Sequence, residues 1–164
     1  MDDLEKTGAP LNMVGPNQIH MTIKFLGDTE EDKVDDIVEK VNFTLKEFDS
    51  FKIDIKGTGA FPHLGYMKVV WMGTEEETGT LKDIAHRVEE ELVPLGFERE
   101  DREFSPHITV ARVKGGKNKE QLRNTIENYD GIHFKSMKVN KLSLKKSILK
   151  KSGAEYTTLK EMYL

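Results

Sequence analysis

His107-Ile-Thr-Val-Ala-Arg112 is the stretch on which the reading of this chain turns, because its chemistry occurs twice. Residues His20-Met-Thr-Ile-Lys-Phe-Leu26 carry the same His-x-Thr pattern 87 positions earlier (107 − 20). Both copies alternate as strands do, with Met21, Ile23 and Phe25 predicted on one side of the first and Ile108 and Val110 on one side of the second. Residues two apart share a face of a strand, so His20 falls with Thr22 and His107 with Thr109. At a rise of roughly 3.3 Å per residue, each His and its Thr lie about 7 Å apart. Two such strands side by side present a floor of two imidazoles and two hydroxyls, matched to one small anion.

Working outward, the first motif strand, Ile19–Leu26, ends at Gly27-Asp28. Thr29 is then predicted to cap a helix from Glu30 to about Phe48, with Val34, Ile37, Val38, Val41 and Leu45 inward. Phe51, Ile53 and Ile55 alternate as a strand closed by Gly57-Thr-Gly59, and Phe61-Pro-His63-Leu-Gly65 reads as a turn. Tyr66–Met72 is a buried strand holding the single tryptophan, Trp71. Thr78–Val93 is an amphipathic helix with Leu81, Ile84, Ala85, Val88 and Leu92 inward, stopped by Pro94 and Gly96. The second motif strand ends near Val113, and Asn118 caps a helix through Tyr129. Residues 132–134 and 137–144 are extended, 150–153 form a hairpin loop, and Glu155–Leu164 is a closing strand. Upstream, Asp3–Thr7 reads as a helix end and Leu11–Val14 as a short extended piece. Motif strand, helix, strand over 19–56 recurs over 107–144, which points to duplication: two similar lobes whose motif strands meet across a cleft.

A chain of 164 residues with 37% hydrophobic and 33% charged residues is expected to form one soluble domain, 1–164, built as two pseudo-repeat lobes. The absence of cysteine excludes disulfides, thiolate catalysis and cysteine-ligated metals. No apolar run reaches the roughly 20 residues of a membrane helix, and the polar start is no signal peptide, so the expected location is cytoplasmic. The net charge of −4 hides an asymmetry: residues 1–101 carry 11 Lys+Arg against 23 Asp+Glu, and residues 102–164 carry 14 against 6. A basic half of this kind concentrates polyanions, with RNA the foremost candidate.

Two histidines at equivalent points suit acid–base catalysis at phosphorus. One neutral imidazole takes a proton from the attacking oxygen while one imidazolium gives a proton to the leaving oxygen. Thr22 and Thr109 donate hydrogen bonds to the nonbridging oxygens. Zinc fits poorly, since only two of the five histidines belong to the pattern and no Cys or His-x-His spacing supports them, so no metal or cofactor is expected. Arg112 and Lys24 are secondary candidates for phosphate contact. His63, His86 and His133 receive no role.

The segments His20–Gly27 and Ser105–Arg112 resemble the paired His-x-Thr-x signatures of the two-histidine phosphoesterases, and in particular the LigT-like RNA 2′,3′-cyclic phosphodiesterases, historically called 2′-5′ RNA ligases. The resemblance extends to Gly59-Ala-Phe-Pro62, Val70-Trp71, Leu95-Gly-Phe97 and Lys146-Ser…Tyr156…Leu164, and so covers Asn12 to the C-terminus. It implies an α+β, bilobal duplicated fold with two antiparallel sheets, outer helices and a central cleft carrying both motifs. It also implies metal-free hydrolysis of a terminal 2′,3′-cyclic phosphate on RNA, or on a cyclic nucleotide, to a 2′-phosphomonoester, with no membrane or obligate protein partner. Carried over by position, His20 and His107 are catalytic and Thr22 and Thr109 bind phosphate; His107 is assigned the water and His20 the departing 3′ oxygen. Tyr156 and Phe104 are candidates for stacking on a base. Two alternatives stand beside this: a ligase joining the cyclic end to a 5′-hydroxyl, and a non-catalytic RNA- or nucleotide-binding module. One departure is that the apolar strand and full helix with which family members begin are expected to be missing here, which would leave a neighbouring strand with an open edge.

Overall fold

In the computed structural model, which describes residues 1–150 and 153–164, the strands form one five-stranded and one two-stranded sheet. The elements in chain order are α1 (Asp2–Lys6), β1 (Leu11–Met13), α2 (Val34–Leu45), β2 (Phe51–His63), β3 (Tyr66–Glu75), α3 (Thr80–Leu92), β4 (His107–Val113), α4 (Lys119–Asn128), β5 (His133–Val139), β6 (Lys141–Lys150) and β7 (Gly153–Tyr163). The large sheet runs β1-β4-β3-β2-β5, the small one is the β6–β7 hairpin, and every pairing is antiparallel. The fold is α+β, as expected.

Each sheet has its own core. Directly opposed residues in an antiparallel pair share a face. Ala60, Val70 and Ala111 therefore fall on one side of the large sheet, where with Ile108 they pack on Leu122 and Ile126 of α4. The second core joins Ile37, Val41 and Leu45 of α2 to Ile84, Val88 and Leu92 of α3, with Met162 of β7 closing it. The inward stripe expected of α3 is buried at all five positions, Leu81, Ile84, Ala85, Val88 and Leu92. The remaining face of the large sheet, marked by Gly59, Trp71 and Thr109, lies opposite α4 and forms a cleft floor.

Three local expectations are corrected. The strand expected to stop at Gly57-Thr-Gly59 instead runs on to His63, absorbing its turn-like residues as register shifts after Ile55 and Phe61. Bulges answer the same glycine signal as turns do. Helix α2 begins at Val34 behind a 3₁₀ turn over Glu31–Lys33, and Thr29 does not cap it, because its hydroxyl donates to the Gly27 carbonyl. Asn118 precedes α4 with φ of 55° and no capping side-chain bond, its amide donating instead to Thr7 O. The hairpin loop expected over 150–153 lies, at 151 and 152, outside the described residues.

Candidate active site

The first motif is not a strand. Between Ile19 and Leu26 the only bridge is Met21 to Ile108, antiparallel. The cause lies in β4, which begins at His107 behind Pro106, a residue with no N–H to offer a ladder. Beyond Thr22 the segment has no strand to pair with, and Phe25, expected on one side with Met21 and Ile23, is 70% exposed while Met21 packs on the core.

The bridge nevertheless does what the expected strand was needed for. β1 pairs with the far end of β4, Leu11 to Val113 and Met13 to Ala111. In unbroken register residue 16 would face Ile108 (124 − 108), yet Met21 does, five residues later (21 − 16). The 3₁₀ turn Pro16–Gln18 takes up the excess. β1 and the motif segment are thus two parts of one interrupted edge along β4. With Met21 opposite Ile108, the flanking residues set His20 beside Thr109 and Thr22 beside His107. Met21 and Ile108 point into the α4 core, so all four polar residues take the cleft face. The result is a rectangle, about 5 Å across the strands and about 7 Å along them, with the two imidazoles on one diagonal and the two hydroxyls on the other.

Both rings are held alike. His20 Nδ1 lies 2.7 Å from Gln18 O and His107 Nδ1 lies 2.8 Å from Ser105 O, in each case the carbonyl two residues before. A carbonyl only accepts, so Nδ1 carries the proton in each ring and Nε2 is left for chemistry. Each ring also meets an aromatic edge-on: Tyr156 against His20 at 4.4 Å and Phe61 against His107 at 4.9 Å. Behind Phe61 stands Trp71, 5.4 Å away, lying so close over Gly59 that a Cβ there would overlap its ring. Gln18 works twice, its side-chain oxygen accepting from Tyr156 N at 2.8 Å and so tying β7 to the motif segment.

The cleft encloses about 1220 Å³, and every residue singled out from the sequence lines it: His20, Thr22, Lys24, Phe104, His107, Thr109, Arg112 and Tyr156. Their environments differ. The Lys24 ammonium is almost fully buried and engaged, 3.0 Å from Glu89 and 2.7 Å from the Glu98 carbonyl, which makes it a strut rather than a phosphate ligand. Burial pushes the Glu89 carboxyl up, but the Glu100 N–H and Lys24 outweigh it and hold that carboxyl below its ordinary range. Tyr156 braces His20. Arg112 reaches the cleft through a bulge: Trp71 pairs with Thr109 and Val70 with Ala111, so Val110 is unpaired and the alternation resets. Counted by twos from His107, position 112 belongs to the other face, yet it pairs with Val69 on the cleft side. Sequence reasoning missed the braces Phe61 and Trp71, and His86, which lines the cleft from α3. The Gly59–Phe61–Trp71 grouping was the available signal.

Among the described residues no three His, Cys, Asp or Glu side chains converge as a metal site, and no helix is long and apolar enough to cross a membrane. The model of the 2′-5′ RNA ligase superfamily matches residues 12–147. Curated relatives include a protein of Methanothermobacter thermautotrophicus, 38% identical over 96% of this chain and 85% of its own length. Another, from Archaeoglobus fulgidus, is 39% identical over 90% of this chain and 80% of its own length. Both are named RNA 2′,3′-cyclic phosphodiesterase. Among solved structures, a Thermus thermophilus protein superposes with a TM-score of 0.80 at 24% identity, over 99% of this chain and 90% of that one. E. coli LigT complexed with 3′-AMP gives 0.69 at 22% identity, over 93% and 80%; at these identities the likeness is one of fold.

Proposed function

The chain belongs to the 2′-5′ RNA ligase superfamily, and from that premise we propose that it is an RNA 2′,3′-cyclic phosphodiesterase, opening cyclic phosphate ends to 2′-phosphomonoesters by metal-free two-histidine catalysis. The observation that carries the reading is the diagonal placement of two imidazoles, each with Nδ1 occupied and Nε2 available. Displacement at phosphorus places the attacking and leaving oxygens roughly in line. A phosphate centred on the rectangle has one imidazole toward each of those oxygens and one hydroxyl toward each flank.

In this mechanism neutral His107 takes a proton from water as its oxygen bonds to phosphorus. The P–O3′ bond breaks, and protonated His20 delivers its proton to O3′. The 2′ oxygen keeps its phosphorus, which gives a 2′-phosphate and a free 3′-hydroxyl. Thr22 and Thr109 donate to the nonbridging oxygens, where charge is held throughout. Each histidine supplies roughly 10²–10⁴-fold in rate. The enzyme is read as acting in the cytoplasm without an obligate protein partner.

The test is to incubate a 2′,3′-cyclic-ended RNA with wild type, His20→Ala and His107→Ala and resolve the products. Release of 2′-phosphate ends, lost in either variant, is the expected result. Binding without turnover by wild type would overturn the assignment in favour of a binding module. Joined product on adding a 5′-hydroxyl RNA would identify a ligase.

A further inference from the structure

The oxygen that attacks phosphorus belongs either to water or to the 5′-hydroxyl of a second RNA, and the cleft wall on the attacking side bears on that choice. This side is the His107–Thr22 edge of the rectangle, since His107 takes the nucleophile's proton and His20 serves the ribose. Two stretches of chain leave this edge, and both reach α3. Beyond Thr22, the Lys24 ammonium lies 3.0 Å from Glu89. Running back from His107, the 98–106 loop is strapped along the same helix. The Glu100 N–H donates to Glu89 at 2.7 Å, Arg99 pairs with Glu90 at 2.7 Å, and Glu103 pairs with Lys82 at 2.9 Å. Helix and loop stand as one wall at the end of the cleft from which the nucleophile arrives.

The straps occupy most of the wall's cations. Lys24, Lys82 and Arg99 are each tied to a glutamate. That leaves Arg102 against the exposed carboxylates of Asp83, Glu100 and Asp101, none of them in an ion pair among the described residues. The wall is therefore net negative. Water is indifferent to that charge. A 5′-hydroxyl RNA is not, because one nucleotide behind its attacking oxygen comes a phosphodiester that has to rest beside those carboxylates. Like charges held together in a partly enclosed cleft repel.

Resting on the cyclic phosphodiesterase reading, we propose that the α3 wall, through Glu100 and Asp101, selects water over RNA as the nucleophile and so keeps a site with the chemistry for joining ends working as a hydrolase. These carboxylates bind no ligand and move no proton; they set which oxygen reaches phosphorus. When RNA is admitted instead, the acceptor's 5′ oxygen bonds to phosphorus and its proton passes to His107. The P–O3′ bond breaks, His20 gives its proton to O3′, and a 2′–5′ linkage results.

The experiment supplies a 2′,3′-cyclic-ended RNA with two acceptors in turn: a nucleoside, which offers an uncharged 5′-hydroxyl, and a 5′-hydroxyl dinucleotide, which adds one phosphodiester. At low salt wild type is expected to transfer to the nucleoside about tenfold or more better than to the dinucleotide. Added salt narrows that gap, because the repulsion is screened over about 10 Å at 0.1 M; attractive RNA contacts weaken with salt and would widen it. In the double variant Glu100→Gln, Asp101→Asn, transfer to the dinucleotide rises about fivefold or more, while hydrolysis and transfer to the nucleoside stay within about twofold of wild type. Glu100→Lys with Asp101→Lys extends the gain. A wild type that joins the dinucleotide as readily as the nucleoside overturns the proposal. So does a double variant that leaves dinucleotide transfer where it was, zero included. Wild type that opens no cyclic end overturns the hydrolase reading itself, a separate and recognisable result.

Discussion

Either His20→Ala or His107→Ala is expected to lower kcat by roughly 10²–10⁴-fold while leaving the fold intact, since neither ring belongs to a core. The proposed mechanism needs one neutral and one protonated imidazole at the same moment, so the wild-type rate–pH profile is expected to be bell-shaped. Each variant should lose one limb, and a profile that keeps both would sink the pairing. Gly59→Ala tests the brace: its methyl would overlap the Trp71 ring and push it toward Phe61 and His107. Thermal melting should register about 1–3 kcal/mol of destabilisation from overpacking, with a parallel fall in kcat. At this scale the sequence was informative where a pattern repeats, as with the two His-x-Thr pairs. It flagged the segments holding Phe61 and Trp71 but not their bracing role, because their contacts depend on pairing between β2 and β3 that local periodicity does not encode.

Element boundaries follow from what each segment has to pair with. The α3 stripe was legible because a 3.6-residue period is a property of the segment alone. The first motif was misread because strand character also requires a partner, and Pro106 bars β4 from reaching back beyond His107. The bulge at Val110 is invisible to counting by twos, and with it the cleft-side position of Arg112. Lys24 joins the motif segment to α3 through Glu89, with side-chain exposures of 5% and 21%. Lys24→Met is therefore expected to cost roughly 1–3 kcal/mol at neutral pH, because it removes the cation from a half-buried carboxylate that keeps the Glu100 N–H, and removes a donor from the Glu98 carbonyl. The Glu89 carboxyl is held below its ordinary range in the fold, so its contribution is present above that ordinary range and fades as pH falls through the depressed value. Urea midpoints should accordingly show the gap between wild type and Lys24→Met narrowing in acid; a gap that widens would contradict this sign.

The molecule as a whole is two cores joined across a cleft, and Gln18 is a principal tie between them, bonded through its carbonyl to His20 and through its side chain to β7. Gln18→Leu leaves the Tyr156 N–H without its partner, at an expected loss of about 1–3 kcal/mol in urea unfolding. Because Tyr156 braces His20, kcat should fall with it; stability lost without any change in turnover would separate the tie from the site. Turnover is also expected to persist in excess EDTA, since imidazoles and hydroxyls perform every step assigned here, and abolition by chelator would overturn that assignment. The matched bracing of the two histidines carries a further consequence. In the proposed mechanism each cut moves one proton onto His107 and one off His20, so the enzyme that releases product is the mirror state of the one that bound substrate. It must exchange both protons with solvent before it can cut again. Until it does, it is poised to close the ring it has just opened, so the catalytic cycle includes a silent return stroke in which only protons move.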